Sequence, residues 1–392
     1  MNSFTVINWV KYNKIIGGIY NYIGSIFLSL LKLFLHTDEN LIIFTSYGGR
    51  KYDDSPKAIY EAMLDDPRFN SYQIVWAFMR PEMHKLPRGR KIKINTLLYF
   101  MTLLRARVWV TNSSMTRGLN FTGIKTFEMN TWHGSAIKRM GSDIKDGNNS
   151  FRLKGEKRNP GVMLAQSQYD VDVFSRAFHR PVSDFRIIGL PRNDVLAHVS
   201  EDMQKQAKEK LGISMNKKVI LYAPTFREYE KDRGYNCVMA PPIDLKRWKK
   251  KLGQDYVLLL RPHYEVTRVM TIEENEFVKN VSNYPNLNEL MIASDMLISD
   301  YSSIFFDYAI QGKPMLCYTY DYERYDRERG MYFDIRKELQ SDIENEDVLL
   351  EEIISSNVSE RDDISRKFRD KYIEKCGNAT QLSLDIIHEA LS

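Results

Sequence analysis

Cysteine is nearly absent. Three thiols, Cys237, Cys317 and Cys376, stand far apart in 392 residues, an odd number that implies no disulfide framework and fits a reducing compartment. There is no Cys-x-x-Cys, no His-Glu-x-x-His and no histidine pair at helical spacing, which leaves structural zinc and zincin chemistry without ligands. A Gly-x-Gly-x-x-Gly fingerprint and a Walker loop are also missing, so no resident metal or cofactor is expected. Charge of one sign is scarce: Lys and Arg total 56 against 51 Asp and Glu, a balance of +5 that carries no nucleic-acid signature. With 43% hydrophobic and 27% charged residues, and no internal repeat or low-complexity tract, the composition excludes disorder, collagen and an all-membrane bundle. At roughly 100–200 residues per domain, the length suggests two or three domains.

One long apolar run is present, from Ile15 to Leu35, long enough at ~1.5 Å per residue to cross a bilayer. Its polar residues are ordered, however. Asn8, Lys11, Lys14, Gly18, Asn21, Ser25, Ser29, Lys32 and His36 recur every three or four positions and draw one polar stripe along a helix. The pattern predicts a helix lying in the membrane interface, with Lys11, Lys14 and Lys32 toward headgroups. Trp9, Ile15, Ile16, Ile23, Phe27, Leu30 and Phe34 then face the acyl boundary. A single span is the alternative. No small-residue cleavage pattern follows Leu35, against a cleaved signal peptide. A basic stretch, Arg80, Lys85, Arg88, Arg90, Lys91 and Lys93 with the single acid Glu82, reads equally as a solvated loop or as a surface for an anionic partner.

After Asp38, short apolar runs alternate with amphipathic segments, as strands and helices do. Strands are expected at Leu41 to Ser46, Gln73 to Phe78, Val108 to Thr111, Thr126 to Thr131, Met163 to Ala165 and Phe185 to Ile188. A second series follows at Val219 to Ala223, Tyr256 to Leu260, Met296 to Ser299 and Met315 to Tyr318. Ser55-Pro56 is expected to start the helix after the first strand. The division is a membrane helix over 1–38 and two α/β domains over 39–199 and 200–392. Their doubly wound parallel sheets bind ligands beyond the carboxyl ends of the strands.

At one such end stands Thr131-Trp132-His133-Gly134. A histidine followed by glycine has close backbone access, and an unperturbed pKa of about 6.5 suits it to taking a proton from a hydroxyl. A hydrogen-bonded structural histidine is the plainer alternative on local sequence. In the second domain, Ala223-Pro224-Thr225-Phe226-Arg227 ends one strand and Arg261-Pro262-His263 the next. Ser299-Asp300-Tyr301-Ser302-Ser303 ends a third and opens a helix. Guanidinium, imidazole and hydroxyl groups converging on a helix start suit a nucleotide diphosphate, with Asp307 in reach of a ribose hydroxyl. Asp170-Val-Asp172 has a metal-binding form, but at a helix start the acids serve the dipole.

These strand-end motifs resemble those of the CDP-glycerol glycerophosphotransferase family, bacterial enzymes that prime and extend wall teichoic acid. The likeness runs through Gly48 to Ala58, Thr131 to Gly141, Gly189 to Asp194, Ala223 to Arg227, Arg261 to His263 and Ser299 to Asp307. It continues into Lys313-Pro314 and Arg329-Gly330. The resemblance implies a GT-B-like α/β fold, two Rossmann-like domains facing across a cleft with the donor held by the second. It implies His133 as the base, His263 on the donor phosphates, Ser302 and Ser303 at the donor helix start, and Asp307 as a ribose contact. The matched segments put Gly48, Lys138, Arg192, Asn193 and Asp194 on the acceptor side. Where members often have Thr-Pro-Leu after the glycine, this chain has Ser135-Ala136-Ile137, a departure that bears on acceptor choice.

The implied chemistry is displacement at the glycerol-bearing phosphorus of CDP-glycerol, with CMP leaving. His133 deprotonates the acceptor hydroxyl, while Thr225, Arg227, Arg261, His263 and the helix start bind and stabilise the phosphoryl charge without a metal. The acceptor is a polyprenyl-diphosphate-linked saccharide or a growing glycerophosphate chain. It is met by a peripheral protein at the cytoplasmic face of the cell membrane, on an anionic lipid surface. A CDP-ribitol donor or a priming role in the same family, a GT-B sugar transferase, and a non-catalytic membrane-surface scaffold remain alternatives; a homo-oligomer is compatible with all of them.

Overall fold

The computed structural model describes residues 14–144, 157–225, 227, 241–262, 272–355 and 358–392. A first sheet holds β1 (Asp38–Thr45), β2 (Gln73–Phe78), β3 (Arg90–Lys93), β4 (Ala106–Thr111), β5 (Phe127–Asn130), β6 (Gly161–Ala165) and β7 (Phe185–Ile187). All pairings are parallel, in the order β3-β2-β1-β4-β5-β6-β7. Leu41, Ile42, Ile43 and Phe44 are all buried, as expected of a parallel strand covered on both faces. The strand order reverses between β1 and β4, where Thr45 pairs with Thr111. A crevice therefore opens beyond those two ends.

The second sheet has β8 (Lys218–Ala223), β9 (Tyr256–Leu260), β10 (Val278–Asn280), β11 (Met296–Ser299) and β12 (Met315–Cys317), again all parallel, in the order β10-β9-β8-β11-β12. Its reversal lies between β8 and β11, where Ala223 pairs with Ser299. The sequence pattern anticipates ten of these strands and misses β3 and β10. Both are sheet edges of three or four residues with a single buried position each, and β3 lies within the basic stretch. Charge on an edge strand deters pairing with another chain.

The chain crosses to the second sheet through a 3-10 helix, Pro191–His198. It returns at the end. The last helix, Ala379–Leu391, buries Leu384 and Ile387 with Phe44, Tyr60 and Trp76 in the first sheet's core, although the sequence pattern groups it with the second domain.

The first described helix, α1 (Lys14–Leu31), is amphipathic, but Ser25 on its polar stripe, and Lys32 just after it, point inward. Ser25 Oγ accepts from Asn120 N at 2.8 Å, and Lys32 Nζ donates to Thr122 Oγ1 at 2.9 Å and Gly123 O at 2.6 Å. Gly24 lies against Leu119, and Leu28 is buried. Lys32 thus serves loop backbone groups that need polar partners, instead of the headgroups expected of it. The opposite face leaves Tyr22, Ile23, Ile26, Phe27, Leu30 and Phe34 exposed. Among the described residues no helix is long and apolar enough to cross a membrane. Trp9 and Lys11 lie outside the described residues.

Candidate active site between the two sheets

The end of β5 delivers His133 to the first crevice. Asn130 Oδ1 accepts from Trp132 N at 2.9 Å, and Trp132 takes a left-handed φ of 49° that turns the chain back over β4. His133 Nδ1 then lies 2.8 Å from the Asn112 carbonyl oxygen. A carbonyl only accepts, so Nδ1 carries the proton and the Nε2 lone pair is left for a substrate hydroxyl. Burial lowers the imidazole pKa, outweighing the Asn112 hydrogen bond and the Asp54 charge that favour protonation. A neutral imidazole near pH 7 is the form a general base needs.

Behind the histidine runs a buried polar network. Tyr47, whose ring centre is 5.7 Å from that of His133, donates its hydroxyl to Asp54 Oδ2 at 2.5 Å. The same oxygen is 2.6 Å from Arg192 Nη1, and Arg192 Nη2 reaches Asp307 Oδ2 at 2.9 Å. Asn193 Nδ2 adds a 2.6 Å bond to Asp307 Oδ1. Burial works to neutralise Asp54, but Arg192 and the Tyr47 hydroxyl prevail and hold its pKa low. Asp54 begins α2 (Asp54–Asp65), capped by Asp53, so the helix starts ahead of the expected Ser55-Pro56. Ser55 is a buried first-turn residue that accepts from Arg192 N.

The histidine loop is also fastened to the second body. Arg139 N donates to Gly330 O at 3.0 Å, Tyr332 N to Ile137 O at 2.9 Å, and Lys138 forms an antiparallel bridge with Met331. Lys138 Nζ lies over the Tyr325 ring. Gly134 abuts the second helix start: at its φ of 137°, a Cβ would stand 2.9 Å from Ser303 Oγ and 3.3 Å from Arg192 Nη2. Glycine here lets the strand ends of both sheets meet.

On the second body, Thr225 N donates to Asp300 Oδ1 at 3.0 Å, joining the β8 and β11 ends. Arg227 departs from its expected role on a substrate phosphate. It is 1% exposed, and Nε, Nη1 and Nη2 are spent on Asp321, Asp300, Thr225 and the Tyr320 hydroxyl. Burial would lower its pKa, yet Asp300 and Asp321 reverse this and fix the charge. Arg261 differs. Nη1 donates to Val281 O at 2.8 Å and Tyr284 O at 2.9 Å, while no described residue accepts from Nε or Nη2. Burial lowers its pKa against the pull of Asp53 across the cleft. A half-buried guanidinium with two donor groups that no described residue takes up is suited to an anion.

Ser302 and Ser303 are half-buried at the start of the helix Ile304–Ala309. At six residues that helix brings hydroxyls more than a developed macrodipole, and the N–H groups of Ile304, Phe305 and Phe306 are already bonded to Ser302 Oγ, Ser302 O and Ser303 O. Asp307 is buried under Arg192 and Asn193, positioned to hold the two bodies together and withdrawn from a ribose. Asp194 lies outside the cleft: its carboxylate accepts from Ala379 N and Thr380 N, capping the returning helix. Gly48, at φ 60°, donates its N–H to Ser113 Oγ at the crevice lip. Asp170 accepts from Gln166 N at its helix start, with its pKa pushed up to about 6 by burial. His263 lies outside the described residues, and among the described residues no cluster is suited to holding a metal.

Sequence reasoning passes over Tyr47, Asp54, Asn112, Asp300 and Asp321. Two acids in the Gly48 to Ala58 segment, ahead of a helix start, are the signal that leads to Asp54. Asn112 acts through its backbone, which sequence does not reveal.

The family model for CDP-glycerol:poly(glycerophosphate) glycerophosphotransferase matches residues 27–388. A teichoic acid glycerol-phosphate transferase of Staphylococcus aureus is 33% identical over 345 residues, 83% of this chain and 86% of that protein. A teichoic acid poly(glycerol phosphate) polymerase of Staphylococcus epidermidis is 33% identical over 373 residues, 89% of this chain, which spans only 50% of that longer protein. In three dimensions, a variant of the wall teichoic acid polymerase TagF soaked with CDPG superposes with a TM-score of 0.82 at 30% identity, covering 93% of this chain and 92% of that one. With the family model matched over nearly its whole length and the α/β architecture of TagF, this chain belongs to the CDP-glycerol:poly(glycerophosphate) glycerophosphotransferase family of teichoic acid synthesis.

Proposed function

We propose that the protein transfers glycerol phosphate from CDP-glycerol to a hydroxyl of a lipid-linked acceptor, releasing CMP, on the cytoplasmic surface of the cell membrane. The observation that carries this is the orientation of His133. Its Nδ1 is tied to the Asn112 carbonyl, its Nε2 is bonded to no described residue, and the glycine after it lies so near the Ser303 helix start of the other body that a Cβ there would stand 2.9 Å from Ser303 Oγ. This supports a reading in which base and anion site serve one reacting centre.

The donor pyrophosphate sits against Arg261 and the Ser302 and Ser303 hydroxyls. The acceptor oxygen, losing its proton to His133 Nε2, forms a bond to the glycerol-bearing phosphorus. The bond from that phosphorus to the bridging oxygen breaks, and CMP carries the charge away. Charge shifts between phosphate oxygens in this reaction, so fixed cations and donors do most of the work. Arg227 acts one step back, holding Asp300 and with it the Thr225 loop. The role of His263 on the donor phosphates follows from the family motif alone.

The exposed apolar face of α1 gives the protein its means of reaching the acceptor. Ile23, Phe27, Leu30 and Phe34 form a stripe that a membrane interface would cover.

The test is CMP release from CDP-glycerol and CDP-ribitol, each with a synthetic lipid-linked disaccharide with and without one glycerophosphate, followed by product mass. A glycerophosphate increment is expected with CDP-glycerol. Turnover with CDP-ribitol alone would move the protein to the ribitol branch, and silence with both would sink the reading.

A further inference from the structure

The loop after β4 ties the histidine to the membrane-facing helix. At its start, Asn112 O holds His133, Asn112 Oδ1 accepts from Tyr47 N at 2.7 Å, and Ser113 Oγ accepts from Gly48 N at 2.9 Å. At its far end Leu119 lies under Gly24 and Asn120 N bonds Ser25, both on α1. Between the two stands Arg117, in a left-handed conformation at φ 58° that favours glycine. Its Nε donates to Asn95 Oδ1 at 3.1 Å, which fixes the guanidinium, and its Nη1 lies 3.1 Å from where a Cβ on Gly48 would be.

Two further cations flank the same glycine. Arg50 follows it by two residues, and Lys51 sits with its Nζ 5.4 Å from the Tyr47 ring centre. Among the described residues none of Arg50, Lys51 and Arg117 is ion-paired with a carboxylate, whereas six other arginines of the first body are. Three exposed cations outside any described ion pair, around a side-chain-free backbone on the path from α1 to His133, are suited to an anion, with Asp53 the nearby acid that offsets part of the Lys51 charge.

Resting on the transfer reaction proposed above, we infer that Arg117, Arg50 and Lys51 form an acceptor subsite at Gly48 that binds a phosphate of the acceptor while the acceptor's hydroxyl meets His133. The donor pyrophosphate is served by the other body, so this cluster has no other anion of the reaction to hold. The ligand is a phosphodiester or diphosphate group. A phosphodiester of the growing chain and the diphosphate of the lipid carrier share that chemistry.

The experiment uses the full chain, wild type and Arg117→Ala and Arg50→Ala/Arg117→Ala variants, with Lys246→Ala as a control for net charge. Steady-state rates are measured with lipid-linked acceptors carrying zero, one or several glycerophosphates, alongside vesicle cosedimentation. Losing a charged hydrogen-bond donor should raise the acceptor KM about tenfold or more, with donor KM and vesicle binding unchanged. A rise confined to glycerophosphate-bearing acceptors assigns the subsite to chain phosphodiesters. A rise with every lipid-linked acceptor assigns it to the lipid diphosphate. Unchanged acceptor KM in the double variant overturns the inference. If wild-type protein releases no CMP from either nucleotide, the transfer reading fails by itself, and calorimetric titration with a soluble glycerophosphate oligomer decides the subsite: weaker binding by Arg117→Ala supports it, and equal binding overturns it.

Discussion

Arg192, on the crossover between the sheets, holds Asp307 of the second body at 2.9 Å while its other amino group holds Asp54 of the first at 2.6 Å. All three side chains are largely buried, so the charges compensate one another out of water. Replacing Arg192 by Ala leaves two buried carboxylates unpaired and should lower the unfolding free energy by about 3–5 kcal/mol, read by urea denaturation. Asp307→Asn keeps the shape and one ion pair, and should cost less. The Asp54 pKa is depressed, so its contribution is intact above the ordinary carboxylate pKa of about 3.9 and fades only as pH falls below it.

As the proposed base His133 acts in its neutral form, and burial lowers its pKa. The rate should therefore hold steady as pH drops to about 6.5 and fall only below it, where the imidazole gains a proton. His133→Ala should cost about 10²–10⁴ in turnover and abolish that acid limb. An acid limb that survives in the variant would assign the titration to another group.

Arg227 and Arg261 both end strands of one sheet but should fail differently. Arg261→Ala should raise the KM for CDP-glycerol about tenfold or more, while losing its bonds to Val281 O and Tyr284 O should cost about 1–3 kcal/mol of stability. Arg227 is saturated by Asp300, Asp321 and the Tyr320 hydroxyl, so Arg227→Ala should appear first as about 3–5 kcal/mol of lost stability. Thermal melts and donor titrations on the two variants separate the roles.

Gly134→Ala would place a methyl 2.9 Å from Ser303 Oγ at a φ of 137°. The loop must shift, and with it the imidazole, so turnover should fall at least tenfold in a variant that still folds by circular dichroism.

These contrasts show what a sequence can and cannot hold. Leu41 to Phe44 announce a strand because both faces are buried, whereas Arg90–Lys93 reads as a basic loop because an edge strand buries only Ile92. His133 is legible as a Trp-His-Gly at a strand end. The carbonyl that sets its tautomer belongs to a different strand end. Arg227 looks like a phosphate ligand until its acids appear 73 and 94 residues further along. Asp194 looks like a cleft residue until the returning helix is seen to need a cap. Periodicity finds the stripe on α1, yet not that Asn120 and Gly123 claim its polar side.

That inward polar side leaves only one surface of α1 for a membrane. Ile23 is 61% and Phe27 52% exposed, and covering each by an acyl boundary should contribute about 1.5 kcal/mol or more. Ile23→Asp/Phe27→Asp should therefore cut partitioning onto anionic vesicles by about 100-fold, without touching Ser25 or Lys32, which pin the helix to its own protein. Rate should be hit in proportion with a lipid-linked acceptor and much less with a short-chain soluble one. Vesicle cosedimentation and the two rates check this, and equal partitioning by the double variant would assign membrane contact to another surface.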